Sequence, residues 1–172
     1  MPSPALAIAA LTVVSALLMM AGEALLSSAN EVRLRQQGAV EPAGDVYRAM
    51  QWAYPLSFIA MAIEGAWRGP APAWALVAGL ATFGLAKALK GWAMVSLGPR
   101  WCFRVLVPPG AALVTAGPYR LLRHPNYVAV VGELAGVLLT VWAPLTGALA
   151  IVGFGLLMRA RIGIEDRALG RG

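Results

Sequence analysis

Five long apolar stretches alternate with shorter polar segments along the chain. They run roughly from Ala5 to Ser28, Tyr47 to Trp67, Ala73 to Leu97, Pro125 to Trp142 and Pro144 to Arg161. A helix of about 20 apolar residues crosses the roughly 30 Å hydrocarbon core of a bilayer. The pattern therefore predicts one all-α integral membrane domain over residues 1–172 with five transmembrane helices, the last two forming a hairpin at Ala143-Pro144.

Composition supports a membrane environment and narrows the chemistry. Hydrophobic residues make up 59% of the chain and charged residues 13%, with a mean hydropathy of +0.69, which is outside the range of soluble domains. The first stretch has no Lys or Arg before its apolar run, which favours a retained span over a signal peptide. The single cysteine, Cys102, excludes an intrachain disulfide and has no cysteine partner for a metal site, so we predict no metal.

The basic residues predict an orientation. Only Arg68 belongs to the second connection, and the other thirteen of the 14 basic residues lie in or beside the first connection, the third connection or the chain end. They are Arg33, Arg35, Arg48, Lys87, Lys90, Arg100, Arg104, Arg120, Arg123, Arg159, Arg161, Arg167 and Arg171. With five spans these regions share one side, which the positive-inside rule assigns to the cytoplasm. We therefore predict an outside N-terminus, a cytoplasmic C-terminus and no nucleic acid partner, although any single Arg can serve topology alone.

The third connection, residues 98–124, is longer than a hairpin needs and ends in Gly117-Pro118-Tyr119-Arg120-Leu121-Leu122-Arg123-His124-Pro125-Asn126-Tyr127. Pro125 disfavours helical geometry at His124 and suits the first helical position, so a helix should begin there. The free backbone amide groups at the start of this helix, with Arg120 and Arg123 nearby, form a potential anion site. We expect His124, the only histidine, to bind a ligand rather than act as a base. Tyr119 and Tyr127 suit a heterocycle or cation, or alternatively an interfacial aromatic belt.

Three further patterns place polar groups near this segment. Asn126, Val130 and Glu133 share one helix face, and Glu133 lies about 12 Å beyond the helix start at 1.5 Å per residue. A carboxylate at that depth should face a polar interior. It would have either a functional role or a structural one, as a hydrogen bond between helices. Arg161 and Glu165 are spaced for a surface ion pair, or Glu165 could hold a ribose or ammonium group. A final set forms polar faces on the first two spans, which could line an acceptor pocket or pack between helices: Glu23, Ser27, Asn30, Tyr47, Gln51 and Tyr54.

The chain resembles the isoprenylcysteine carboxyl methyltransferase family. The matching elements are Gly117-Pro118-Tyr119-Arg120, Arg123-His124-Pro125-Asn126-Tyr127, Glu133 and the Arg161 to Leu169 segment. The family pattern has a Glu-Glu pair where this chain has Glu165-Asp166. More of the chain resembles a bacterial branch of this family that methylates alkylpyrone or alkylresorcinol lipids. The matching residues are Ser28 to Glu31, Gly38 to Glu41, Glu64, Lys87 to Trp92 and Leu97 to Trp101.

The resemblance implies S-adenosylmethionine as methyl donor, bound within about residues 98–172 on the cytoplasmic side of a bacterial inner membrane. The residues it assigns to donor binding are Gly117, Tyr119, Arg123, His124, Pro125, Asn126, Tyr127, Arg161 and Glu165. The acceptor would be a lipophilic molecule taken from membrane lipid. The oligomeric state stays open.

We hypothesise that Glu133, with a raised pKa, acts as acid or base or orients the acceptor, because a phenol or enol needs a base. Arg104 or Arg100 could instead pair with an acceptor carboxylate. Two rival functions remain at this point. One is a membrane-embedded sterol-type reductase, which has a comparable Arg-His-x-Asn-Tyr segment and uses NADPH. The other is a small transporter or scaffold with intramembrane carboxylates.

Overall fold

The computed structural model describes residues 3–110 and 112–169, which form five α-helices. In chain order these are α1 (Pro4–Gln36), α2 (Tyr47–Arg68), α3 (Ala73–Leu97), α4 (Pro125–Val141) and α5 (Pro144–Ala168). Two short 3-10 turns, Gly98–Arg100 and Gly117–Arg120, lie in the third connection. These residues contain no β-strand, and the only sheet-like contact among them is a single bridge between Val40 and Val107. The predicted all-α fold with five helices is therefore confirmed.

The apolar pattern located the helix starts better than the helix ends. α3 has the predicted bounds, whereas α1 continues eight residues beyond Ser28 and α5 seven residues beyond Arg161. Helical hydrogen bonds form inside the segment itself, so a helix can continue into water after its apolar part ends. The extra turns of α5 matter because they carry Glu165.

Within the part of the chain that the structure describes, three segments are long and apolar enough to cross a membrane: Pro4–Gln36, Ala73–Arg100 and Pro144–Ala168. α4 is apolar but only 17 residues long. Many large apolar side chains, such as Leu11 and Val95, lie exposed on the bundle surface. Such a surface is suited to contact with lipid tails.

α3 and α4 pack closely because small residues face each other along their contact. A Cβ atom added at Gly136 would lie 2.7 Å from the backbone nitrogen of Phe83, and one at Gly79 would lie 2.5 Å from the nitrogen of Thr140. Small residues allow helix backbones to approach in a bilayer, where burial of apolar surface alone gives no drive to associate. This close contact fixes the position of α4 against α3.

The hairpin between α4 and α5 forms at the predicted position. Trp142 ends α4 in the left-handed conformation, with φ 57°, and Pro144 opens α5. The Glu64 carboxylate of α2 accepts hydrogen bonds from the backbone nitrogens of Leu145 and Thr146, at 3.2 and 2.6 Å. Glu64 thereby satisfies free amide groups of the first turn of α5. The opposite end of α5 contributes residues to the site described next.

Candidate active site at the ends of α4 and α5

A cavity of about 330 Å³ lies between the third connection and the neighbouring ends of α2, α4 and α5. Nine of the eleven residues predicted for the site line it. They are Arg104, Tyr119, Arg123, His124, Pro125, Asn126, Tyr127, Arg161 and Glu165. The remaining two, Gly117 and Glu133, do not belong to the lining. Most of the predicted residues therefore meet at one cavity.

The start of α4 contacts the last turns of α5. Pro125 is the first residue of α4, as predicted. Nδ1 of His124 lies 3.5 Å from Oε2 of Glu165, and Nε2 lies 3.3 Å from Oδ1 of Asp166. Tyr127 donates a 2.8 Å hydrogen bond to Glu165 and stacks on the His124 ring with centroids 5.5 Å apart. The family-type motif and the chain end thus form one polar wall.

Arg161 points into the protein and has a different partner from the one that i,i+4 spacing suggested. Its side chain is buried, donates a short hydrogen bond to the carbonyl oxygen of Phe103 and lies 3.5 Å from Oδ2 of Asp45. The prediction of a surface ion pair between Arg161 and Glu165 is therefore wrong, because α5 turns Arg161 toward the third connection. The Nε atom of Arg161 has no hydrogen-bond partner within residues 3–110 and 112–169. Arg161 thus offers a buried donor at the cavity.

Arg104 lines the cavity, but its charge is largely neutralised by carboxylates. Its guanidinium lies 2.7 Å from Glu41 and 3.2 Å from Glu31, and 4.4 Å from the centre of the Tyr47 ring. Burial alone would raise the pKa of Glu41, but hydrogen bonds from Arg35 and Arg104 outweigh it and lower that pKa. Arg104 therefore closes one side of the cavity as part of a network of ion pairs.

Gly117 contributes to the site through the shape of the backbone. It has φ +59°, which favours glycine, and an added Cβ would lie 2.0 Å from Oγ of Ser96. The glycine lets the third connection pack against the end of α3. The assignment of Gly117 to donor binding stays a prediction. Gly117 lies two residues before Tyr119, which lines the cavity.

Glu133 is buried in the bundle, as predicted, and has charged partners that the sequence analysis did not identify. Its carboxylate oxygens lie 3.0 Å from Nζ of Lys87 and 2.8 Å from Nζ of Lys90. The same two ammonium groups bind Glu23, at 2.7 and 2.9 Å. Tyr54 donates a 2.5 Å hydrogen bond to Oε2 of Glu133. We call Glu23, Lys87, Lys90 and Glu133 the buried charge cluster.

The buried charge cluster corrects two expectations. Lys87 and Lys90 lie inside α3 and bind carboxylates in the bundle, so they do not serve as flanking charges beside the third connection. Two ammonium groups favour the ionised form of Glu133, so its contacts do not support the expected protonated, weakly acidic group. Charged residues inside apolar spans usually pair with one another. The presence of Glu23, Lys87 and Lys90 inside predicted spans is therefore the sequence signal that indicates such a cluster.

The polar faces of the first two helices have different roles. On α2, Tyr47, Gln51 and Tyr54 all line the cavity. On α1, Oγ of Ser27 accepts a hydrogen bond from the Phe103 nitrogen, and Nδ2 of Asn30 donates to the Trp101 carbonyl oxygen, both at 2.8 Å. The face of α1 thus holds the third connection in place, whereas the face of α2 belongs to the cavity.

Comparisons with known proteins agree with this geometry. The family model described as isoprenylcysteine carboxyl methyltransferase (ICMT) family matches residues 78–171, more than half of the chain. "Uncharacterized protein YpbQ" of Bacillus subtilis (strain 168) is 33% identical over 151 residues, which are 87% of this chain and 89% of that protein. No solved structure matches. The family match contains α4, α5 and most residues lining the cavity. The chain therefore belongs to the isoprenylcysteine carboxyl methyltransferase family and is a membrane methyltransferase.

Proposed function

We propose that this protein transfers a methyl group from S-adenosylmethionine to an oxygen atom of a lipophilic acceptor at the membrane. The observation that carries the proposal is the convergence of the family motif around His124 and the chain end around Glu165 on one cavity. A methyltransferase must align donor and acceptor and exclude water, and a partly enclosed cavity at the helix ends suits the alignment.

The polar groups of the cavity fit the donor molecule. The buried Oδ1 of Asn126 has no hydrogen-bond partner in the described part of the chain and can accept from an exocyclic amine. Nε of Arg161 can donate to a carboxylate, and the ring faces of Tyr119 and Tyr127 can contact a heterocycle or a cation. Bound S-adenosylmethionine would supply a methyl group on a positively charged sulfur. These residues would hold it and keep the sulfur near carboxylates such as Glu165.

The membrane arrangement is part of the same proposal. We infer that all five helices cross a bacterial inner membrane, with the N-terminus outside and the cavity facing the cytoplasm. With Lys87 and Lys90 assigned to the interior, the remaining basic residues outside the second connection still support this orientation. Arg171 lies outside the described residues. The N-terminal parts of α4 and the C-terminal turns of α5 would then lie at the cytoplasmic surface, where a soluble donor can enter.

The acceptor oxygen would belong to a carboxylate, a phenol or an enol carried on an apolar chain. Apolar side chains such as Met50, Val130 and Phe154 line the cavity beside the polar wall and suit such a chain. Arg104 would face a carboxylate acceptor. Glu133 lies behind Tyr54 and would act on the acceptor through that side chain.

Donor identity can be tested by calorimetry on the purified protein in detergent. We expect S-adenosylhomocysteine to bind saturably and NADPH not to bind. Glu165→Gln should weaken binding of S-adenosylhomocysteine by at least about tenfold, because hydrogen bonds to a charged group contribute about 1.5–3 kcal/mol. Glu64→Gln is the matched control, since Glu64 lies at the other end of α5, and it should bind as the wild type does. Tight NADPH binding without S-adenosylhomocysteine binding would exclude the proposal.

Acceptor identity needs a second assay. Methyl incorporation from labelled donor would be measured in parallel on an alkylpyrone, an alkylresorcinol and a prenylcysteine. We expect label in at least one lipid product. Inactivity on all three would exclude this acceptor class.

A further inference from the structure

We propose that Tyr54 relays a proton from the acceptor hydroxyl to Glu133 during methyl transfer. The inference rests on the proposed function and adds a catalytic residue to it. Among the described residues, Tyr54 and Lys90 both line the cavity and contact Glu133, the Tyr54 hydroxyl by donating to its carboxylate at 2.5 Å and Nζ of Lys90 at 2.8 Å. An ammonium group has no lone pair to accept a proton, so Tyr54 is the one of the two that can relay it. Glu133 itself is 1% exposed and does not line the cavity, so an acceptor can exchange a proton with it only through a neighbour.

The direction of this hydrogen bond determines what Tyr54 can do on the cavity side. A phenolic hydroxyl has one proton, and here Glu133 accepts it. The lone pairs of the Tyr54 oxygen are then available to accept a hydrogen bond. An acceptor that carries a hydroxyl group can donate to them, whereas a carboxylate acceptor has no proton to donate.

The proton transfer balances in atoms and charge. As the acceptor oxygen forms its bond to the methyl carbon, the sulfur–carbon bond breaks and its electron pair stays on sulfur. The acceptor proton moves to the Tyr54 oxygen, and the Tyr54 proton moves to Oε2 of Glu133. One positive charge on sulfur and one negative charge on Glu133 disappear together. The total charge of donor, acceptor and cluster therefore stays constant, because the formal charge of the buried charge cluster rises from zero to +1 as the positive charge on sulfur is lost.

The groups around the pair suit this role. The charged groups that face it are Glu23 of α1 and Lys87 and Lys90 of α3. α5 contributes the uncharged ring of Phe154, 5.2 Å from the Tyr54 ring between centroids. The two lysines keep Glu133 ionised before the reaction and hold it in place. The cluster thus holds an ionised carboxylate against the Tyr54 hydroxyl, where it can accept the tyrosine proton.

The kinetic test compares two acceptors with the same alkyl chain, a long-chain alkylphenol and its dinitro-substituted analogue, which is already ionised at the assay pH. General base catalysis contributes typically 10²–10⁴-fold. We expect Tyr54→Phe to lower the rate on the alkylphenol at neutral pH by at least about tenfold, and the rate on the ionised analogue by less than about threefold. Glu133→Gln should show the same selectivity. Ser57→Ala removes another hydroxyl from α2 and should match the wild type with both acceptors.

A pH profile and a binding measurement separate proton relay from a structural effect. The Tyr54→Phe rate on the alkylphenol should approach the wild-type rate toward pH 10, where phenols ionise in solution. With S-adenosylhomocysteine present, the wild type should bind the alkylphenol about threefold to tenfold more tightly than the matching alkylbenzene, and Tyr54→Phe should lose this preference.

Equal loss on both acceptors, or an unchanged pH profile, would overturn the relay while leaving the methyltransferase proposal intact. So would a wild-type enzyme that methylates only a carboxylate acceptor. Failure of the wild type to bind S-adenosylhomocysteine or to methylate any acceptor would remove the proposed function itself.

Discussion

Replacing Lys90 by methionine removes one of the two positive charges in the buried charge cluster. The Lys90 side chain is 2% exposed and its Nζ lies 2.9 Å from Glu23 and 2.8 Å from Glu133, so both ion pairs are lost without compensation from water. Two carboxylates then share the single ammonium group of Lys87, and the formal charge of the cluster falls from zero to −1. Methionine retains most of the side-chain volume, so the effect reports charge rather than a cavity.

The magnitude follows from the cost of leaving a buried charge unpaired. Removing one partner of a buried ion pair costs about 3–5 kcal/mol. In a chain of this size 1 kcal/mol shifts the midpoint by about 2–4 °C, so Lys90→Met should lower Tm by about 6–20 °C. Lys90→Met combined with Glu23→Gln restores a neutral cluster and should recover at least about half of the loss, because neighbouring changes are not additive.

Thermal unfolding in detergent can be followed through the single cysteine with a thiol-reactive fluorophore. Arg33→Met is the control, since Arg33 is exposed and surface substitutions change stability by about 0.5 kcal/mol or less. A Lys90→Met midpoint that matches this control would contradict the reasoning. So would a double variant whose loss equals the sum of the two single losses.

Two further predictions concern packing and the thiol. Gly136→Ala should lower the free energy of unfolding by about 1–3 kcal/mol, because the new methyl group overpacks against Phe83. Gly155 has open space around it, so Gly155→Ala should leave the stability nearly unchanged. Equal thermal midpoints for the two variants would refute the close contact at Gly136. Burial raises the pKa of Cys102 to about 12, and since the thiolate is the reactive form, the native protein at pH 8 should react slowly with a disulfide reagent and rapidly after denaturation. Fast labelling of the native protein would mean that Cys102 is accessible.

The stretch from Gly117 to Tyr127 shows how far sequence analysis could reach. Proline geometry is local, so Pro125 was sufficient to predict where α4 begins. The mixture of Arg, His and Tyr at that helix start indicates a ligand site from residue types alone. Apolar length was likewise sufficient to predict five helices and the turn at Ala143-Pro144.

Side-chain partners across helices required the tertiary structure. Helical spacing tells which residues share one face of one helix, but it does not tell which other helix that face meets. Lys87 and Glu23 are 64 positions apart and Arg161 and Phe103 are 58 apart, and each contact exists only because the bundle brings their helices and the third connection together. The same holds for the place of Glu133 behind Tyr54. The sequence by itself thus determined the helices and the site-bearing segment, through local backbone preferences and apolar length, and packing alone decided which charges are buried together.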